Sequence, residues 1–217
     1  MEHIIQNITI YAIPLIFAIT VHEAAHAYAA KYFGDTTAYM LGRVTFNPVK
    51  HIDLIWTIVM PIVILIMSHF TFVFGGAKPV PVNFGALRNP KRDMIWVAAA
   101  GPGANLVMMI IWALIGKTAL LTVSAPLEAG PTLFVLLVAK AGIFVNALLM
   151  VFNLFPLLPL DGGRILAGLL PNKAAYAFSK HEPYGMFILV ALILTGVIGI
   201  FLGPLVDFSM NAVYSLI

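Results

Sequence analysis

Apolar residues fall in long blocks along this chain, separated by short polar or Pro/Gly-rich stretches. Ile4 to Phe33 is the first block, with Pro14 as a kink of the kind membrane helices tolerate. Ile52 to Phe74 is the second, with Pro61 in its middle and His69 near its end. It either crosses a membrane once or enters and returns. Met94 to about Val123 is the third block, and Pro131 to Phe155, which encloses Lys140 and Asn146, is the fourth. Tyr184 to Leu205 is the last clear span, and Asp207 to Ile217 is an apolar tail expected in the interface or against the bundle. Blocks near or above about 18 apolar residues are membrane-helix signals. The expected fold is an all-α polytopic membrane protein of about four to six membrane segments, one of them re-entrant if the second block turns back.

The stretches between blocks carry their own signals. Gly34-Asp35 reads as a turn. Tyr39 to Phe46 has strand-like composition ahead of Asn47-Pro48. It fits a short membrane-surface β-hairpin whose open edge pairs with an extended substrate, or an ordinary connecting loop. Gly75 to Asn83 is an extended, proline-restricted segment, Arg88, Lys91 and Arg92 form a basic flank, and Pro171 to Pro183 is a polar connection.

Composition agrees with this layout. Of 217 residues, 61% are hydrophobic and 10% charged, against roughly 25% charged in a soluble domain. Residues 1–217 are expected to form one membrane-embedded domain. There is no cysteine, so a thiolate metal site and disulfides are excluded. The net charge of +3 comes without a long basic run, which speaks for membrane orientation and not for nucleic-acid binding. Met1 to Thr20 carries Glu2 and no Lys or Arg, which argues against a cleaved signal peptide.

The chemistry concentrates in His22-Glu23-Ala24-Ala25-His26, in the last third of the first block. Residues four apart share one face of a helix, so His22 and His26 can hold one metal ion between them. Glu23 is close enough to act on a water bound there, as in the H-E-x-x-H arrangement of zinc metalloproteases. Such residues are costly in an apolar span, roughly 2.5–3.5 kcal/mol for a charge at the bilayer centre. The alternative is a polar patch bonding to other helices without metal. His3, His51, His69 and His181 lack ligand spacing.

Two further stretches stand out. Ala98 to Asn105 places Gly101, Pro102 and Gly103 near the start of the third block, where small residues allow close helix packing. Asn153 to Arg164 holds Pro156 and Pro159, which break helical bonding, followed by Asp161-Gly162-Gly163. Asp161 is an oxygen ligand suited to zinc, although Asp-Gly-Gly is also a common surface turn. Of the glutamates after His26, Glu128 and Glu182 lie in no zinc-like context, which favours Asp161 as a third ligand.

These motifs together resemble the site-2 protease family of intramembrane zinc metalloproteases: His22 to His26, Ala99-Ala100-Gly101-Pro102-Gly103-Ala104-Asn105, and Asn153 to Arg164 in that order. The resemblance implies one Zn²⁺ per chain on His22, His26 and Asp161. It implies catalysis by Glu23 with Asn153 supporting substrate or oxyanion, and a chamber wall in which Gly101, Pro102 and Asn105 contact substrate. It also implies a small form without PDZ or CBS domains, a membrane-spanning protein as substrate, and residence in a bacterial cell membrane. The charges orient it. With the second block re-entrant, ten of the twelve Lys and Arg residues gather on the side of the 31–93 and 156–183 segments, leaving Lys117 opposite and Lys140 buried. The positive-inside rule then places the N-terminus outside and the site near the cytoplasmic face. A secondary transporter, which also uses broken helices, or a silent membrane scaffold is the competing reading. Neither gives a reason for His-Glu-x-x-His. Oligomeric state and substrate identity are not legible.

Overall fold

The computed structural model describes residues 2–51, 59, 79–122 and 130–215. Among them are eight α-helices and no strand: α1 (Glu2–Tyr32), α2 (Thr37–Met40), α3 (Pro90–Leu121), α4 (Pro131–Asn153), α5 (Asp161–Leu169), α6 (Asn172–Ser179), α7 (Glu182–Leu194) and α8 (Val197–Ser215). Ile8–Tyr32 of α1, together with α3, α4 and α8, are long and apolar enough to cross a membrane. The protein is an all-α polytopic membrane protein. Leu106, Val107, Ile110, Ile111 and Leu114 of α3 stay exposed, as a lipid-facing band requires.

Three helices form the frame of the site. His22 meets Asn105 and His26 meets Val97, so α1 and α3 run antiparallel. Asn105 meets Asn146 while Gly116 meets Ala139, so α3 and α4 are antiparallel too. Close approach depends on glycine: a Cβ on Gly142 would overlap the Trp112 indole. Ile198, Leu202, Val206 and Val213 of α8 pack into one apolar core with Met109 and Trp112 of α3 and Ile143 of α4.

Helix ends explain where the chain turns. α1 stops at Gly34 (φ 111°), where Asp35 N–H bonds Ala30 O (2.9 Å) and Gly34 N–H bonds Lys31 O (3.2 Å), the paired bonds of a Schellman cap. The same device ends α2. Gly42 has φ 66°, Arg43 N–H bonds Ala38 O (2.9 Å), and Gly42 N–H bonds Tyr39 O (2.9 Å). Of the two readings of Tyr39 to Phe46, the hairpin is therefore not formed and a connecting loop stands there, entered by a helical turn. Asp35 Oδ1 accepts Thr37 N–H (2.9 Å) and starts a helical turn, and Gly42 closes it. Asp93 reaches back to accept Asn89 N–H (2.7 Å) at the start of α3.

The C-terminal third differs from expectation in three places. The Tyr184–Leu205 block is split into α7 and α8 at Gly196, whose φ of 73° stops the helix. Asp207 to Ser215 is the second half of α8, with Val213 buried, and not a separate tail. Most of the polar 171–183 connection forms α6. The re-entrant or spanning reading of Ile52 to Phe74 lies outside the described residues, as do Gly75 to Lys78.

Candidate metal centre

One helical turn separates His22 from His26, and both face α3. Their ring nitrogens are assigned by what each touches. His26 Nδ1–H donates to the Val97 carbonyl at 2.7 Å, and His22 Nδ1–H donates to Asn105 Oδ1 at 2.6 Å. Each Nε2 is then left with a lone pair, and the two Nε2 atoms lie 3.0 Å apart. Asp161 completes a triangle, its Oδ2 being 3.3 Å from both.

The sequence sets this convergence up locally. Pro156 and Pro159 keep the chain after α4 from continuing as a helix, and Asp161 is the first residue of α5, where a helix N-terminus favours negative charge. Gly162 and Gly163 let α5 press on the 154–158 backbone; a Cβ on either would overlap it. Gly101 does the same for the imidazoles. A Cβ there would fall on His26 and within 2.6 Å of His22 Nε2.

Three buried or half-buried donor atoms facing one point, two of them bare lone pairs, are unfavourable unless a cation lies among them. Asp161 Oδ2 is buried and has no hydrogen-bond partner. His22, His26 and Asp161 are the group of such side chains able to hold a metal among the described residues. The set fits zinc: imidazole nitrogens and a carboxylate oxygen bound tetrahedrally sit about 3.3–3.4 Å apart, close to the separations seen. Burial pushes the Asp161 carboxyl up, and without metal the imidazolium forms of His22 and His26, each with a second proton on Nε2, outweigh burial and hold the group down at about 2. It is an anionic oxygen donor at any ordinary pH.

A cavity of about 390 Å³ opens beside this triangle, walled by Glu23, Pro79, Val80, Phe84, Asn153 and Arg164 among others. Glu23 Oε2 accepts Val80 N–H at 2.7 Å. Thus the extended strap Pro79–Asn83 lies along α1, and Asp35 fixes its other end by accepting Asn83 N–H at 2.7 Å. Asn153 lines the cavity while its Nδ2 donates to Leu149 O (2.9 Å). Arg164 pairs with Glu182 (3.2 Å) and lies over the Phe84 ring.

The structure thus brings together His22, Glu23, His26, Asn153 and Asp161. It places Gly101, Pro102 and Asn105 elsewhere than on the chamber wall. All three are buried and none lines the cavity: Gly101 makes room for the imidazoles and Asn105 turns its amide to His22. Val97 and Ala98 are what α3 presents to the cavity. Sequence reasoning missed Asn146, fully buried, whose Oδ1 accepts from Asn105 Nδ2 at 3.0 Å. Its signal was a lone amide inside an apolar span. It also missed the Val97 carbonyl and the Val80 amide, main-chain groups that no side-chain pattern reveals. Gly101→Ala is expected to lower zinc affinity more than about tenfold, the scale of disturbing a ligand's support. Chelator competition measures this, with circular dichroism unchanged.

Comparison with known proteins agrees with the geometry. The chain is 33% identical over 211 residues to "Putative zinc metalloprotease YwhC" of Bacillus subtilis, covering 94% of this chain and 89% of that protein. It is 28% identical over 180 residues to "Putative zinc metalloprotease Rip2" of Mycolicibacterium smegmatis, covering 83% of this chain and 64% of that one. No family model and no solved structure matches. Similarity over 94% of this chain and 89% of the Bacillus subtilis protein, joined to the three motifs and the converged triad, settles the affiliation: the chain belongs to the site-2 protease family of zinc metalloproteases.

Proposed function

We propose that the protein hydrolyses peptide bonds of membrane-spanning proteins, with His22, His26 and Asp161 holding one zinc ion per chain. The observation that carries this reading is the cavity in which a carboxylate, Glu23, stands beside the donor triangle within the membrane-helix frame. A zinc ion held there would supply Lewis acidity and lower the pKa of a bound water to about 7. Glu23 takes the proton of the attacking water as its oxygen adds to the scissile carbonyl carbon. It then delivers that proton to the leaving amine as the C–N bond breaks. Val80 N–H holds Oε2 of Glu23, which leaves Oε1 for the proton. Asn153 uses one Nδ2 hydrogen on Leu149 and has a second for the carbonyl oxygen as charge develops on it.

A helical substrate must unwind before attack, since its carbonyls are already bonded. The strap Pro79–Asn83 and the 154–160 turn, both non-helical, border the cavity and suit an extended segment. We place the protein in a bacterial cell membrane with this cavity toward the cytoplasm. The chain leaves α1 and enters α3 at one end of the bundle, where Arg88 N–H bonds Phe33 O at 2.9 Å. Lys31, Arg43, Arg88, Lys91 and Arg92 gather in or next to the segments that meet there, as the positive-inside rule asks.

The test is purified protein reconstituted with a single-span reporter substrate. Cleavage is expected, is stopped by a zinc chelator, and returns on adding zinc. Cleavage indifferent to the chelator, or none by a zinc-loaded protein on a panel of spans, overturns the reading.

A further inference from the structure

We propose that Asn146, two hydrogen bonds away from the donor triangle, is a positioning residue that imposes the tautomer of His22. The inference rests on the zinc-site reading above.

The argument is one of polarity. A backbone carbonyl can only accept a hydrogen bond. Gly142 O lies 2.8 Å from the Asn146 amide, so the atom facing it must be Nδ2. Asn146 Oδ1 is thereby turned toward α3, where it accepts from Asn105 Nδ2 at 3.0 Å. The second contact of that nitrogen, Ala18 O at 3.3 Å, is also a carbonyl and demands the same orientation. Asn105 must then offer Oδ1 to His22, and an oxygen at 2.6 Å requires Nδ1 to carry the hydrogen. The proton on His22 is consequently held away from the donor triangle. Each amide could be reversed in isolation; anchored to two carbonyls, neither can.

Burial makes the constraint strict. Asn105 and Asn146 are both 0% exposed, so no solvent offers a replacement partner. His26 needs no such relay, because Val97 O faces its Nδ1 directly. The two ligands thus reach the same tautomer by different routes, one from main chain and one through two side chains spanning α1, α3 and α4.

Two substitutions separate this role from simple packing. Asn146→Leu keeps the volume and removes the acceptor. Asn146→Asp, as the neutral acid favoured by burial, keeps a donor for Gly142 O and an acceptor for Asn105. The direct readout is the ¹⁵N spectrum of His22 in metal-free protein, which distinguishes Nδ1–H from Nε2–H; zinc affinity by chelator competition is the second. Asn146→Leu is expected to mix the His22 tautomers and weaken zinc about tenfold, while Asn146→Asp stays close to wild type in both. An unchanged His22 signal in Asn146→Leu, or Asn146→Asp faring worse than Asn146→Leu, overturns the proposal. If Asn146→Leu does not fold, Asn146→Asp decides alone: a retained Nδ1–H tautomer supports the relay and a lost one refutes it. The metal-free spectrum stands whether or not wild-type protein takes up zinc, so failure of the zinc reading shows separately.

Discussion

Glu23→Gln is expected to lower peptide hydrolysis by about 10²–10⁴-fold, the share a general base contributes, while zinc per chain stays at the wild-type value. Glutamine has the same shape and offers an oxygen to the Val80 N–H that now bonds Glu23 Oε2 at 2.7 Å, so the strap and the cavity wall keep their places. What disappears is the basicity. None of the three converged donor atoms belongs to Glu23, so the metal has no reason to leave. Metal analysis beside a cleavage assay on the same preparation checks both halves. A variant that still cleaves at the wild-type rate removes Glu23 from the proton path.

Asp161→Ala is expected to act the other way round, on the metal first. It leaves two imidazoles, too few for a stable zinc site. Loss of a supporting partner costs about 10–100-fold in affinity, and loss of a direct donor exceeds the top of that range. Zinc is therefore expected to stabilise wild-type protein against heat and to do little for the variant, since a ligand stabilises only as far as it occupies its site. Thermal unfolding with and without zinc measures this. An equal rise in Tm for both proteins shows that the third donor is another group.

How much of this was legible in the sequence depended on the range of each interaction. His22, Glu23 and His26 could be read because one helical turn brings them together regardless of anything distant. Asp161 needed a resemblance and an inventory of carboxylates, since 3.3 Å to His22 joins residues far apart in the chain. The spans were visible as apolar blocks, but their breaks were not. Gly42 and Gly196 both take positive φ, and from composition alone the first passed for a strand interior and the second for mid-span. Asn105 was noticed, but not as the partner of His22, because a polar residue near Gly101 says nothing of the direction in which its amide points. Asn146 drew notice only as an interruption.

The strap gives the cavity a wall that is fastened twice. Pro79–Asn83 is tied down through the amides of Val80 and Asn83, received by Glu23 and Asp35. A tether made of main chain is indifferent to the side chain it carries, proline excepted. The side chains of Val80 and Val82 add a second fastening, Val80 buried with Ala27 and Ala38 and Val82 packed between that cluster and the one of Ala30, Leu87 and Val97. A segment held by both is a fixed jaw beside the donor triangle, and a change at Val80 or Val82 is expected to loosen it as well as reshape it.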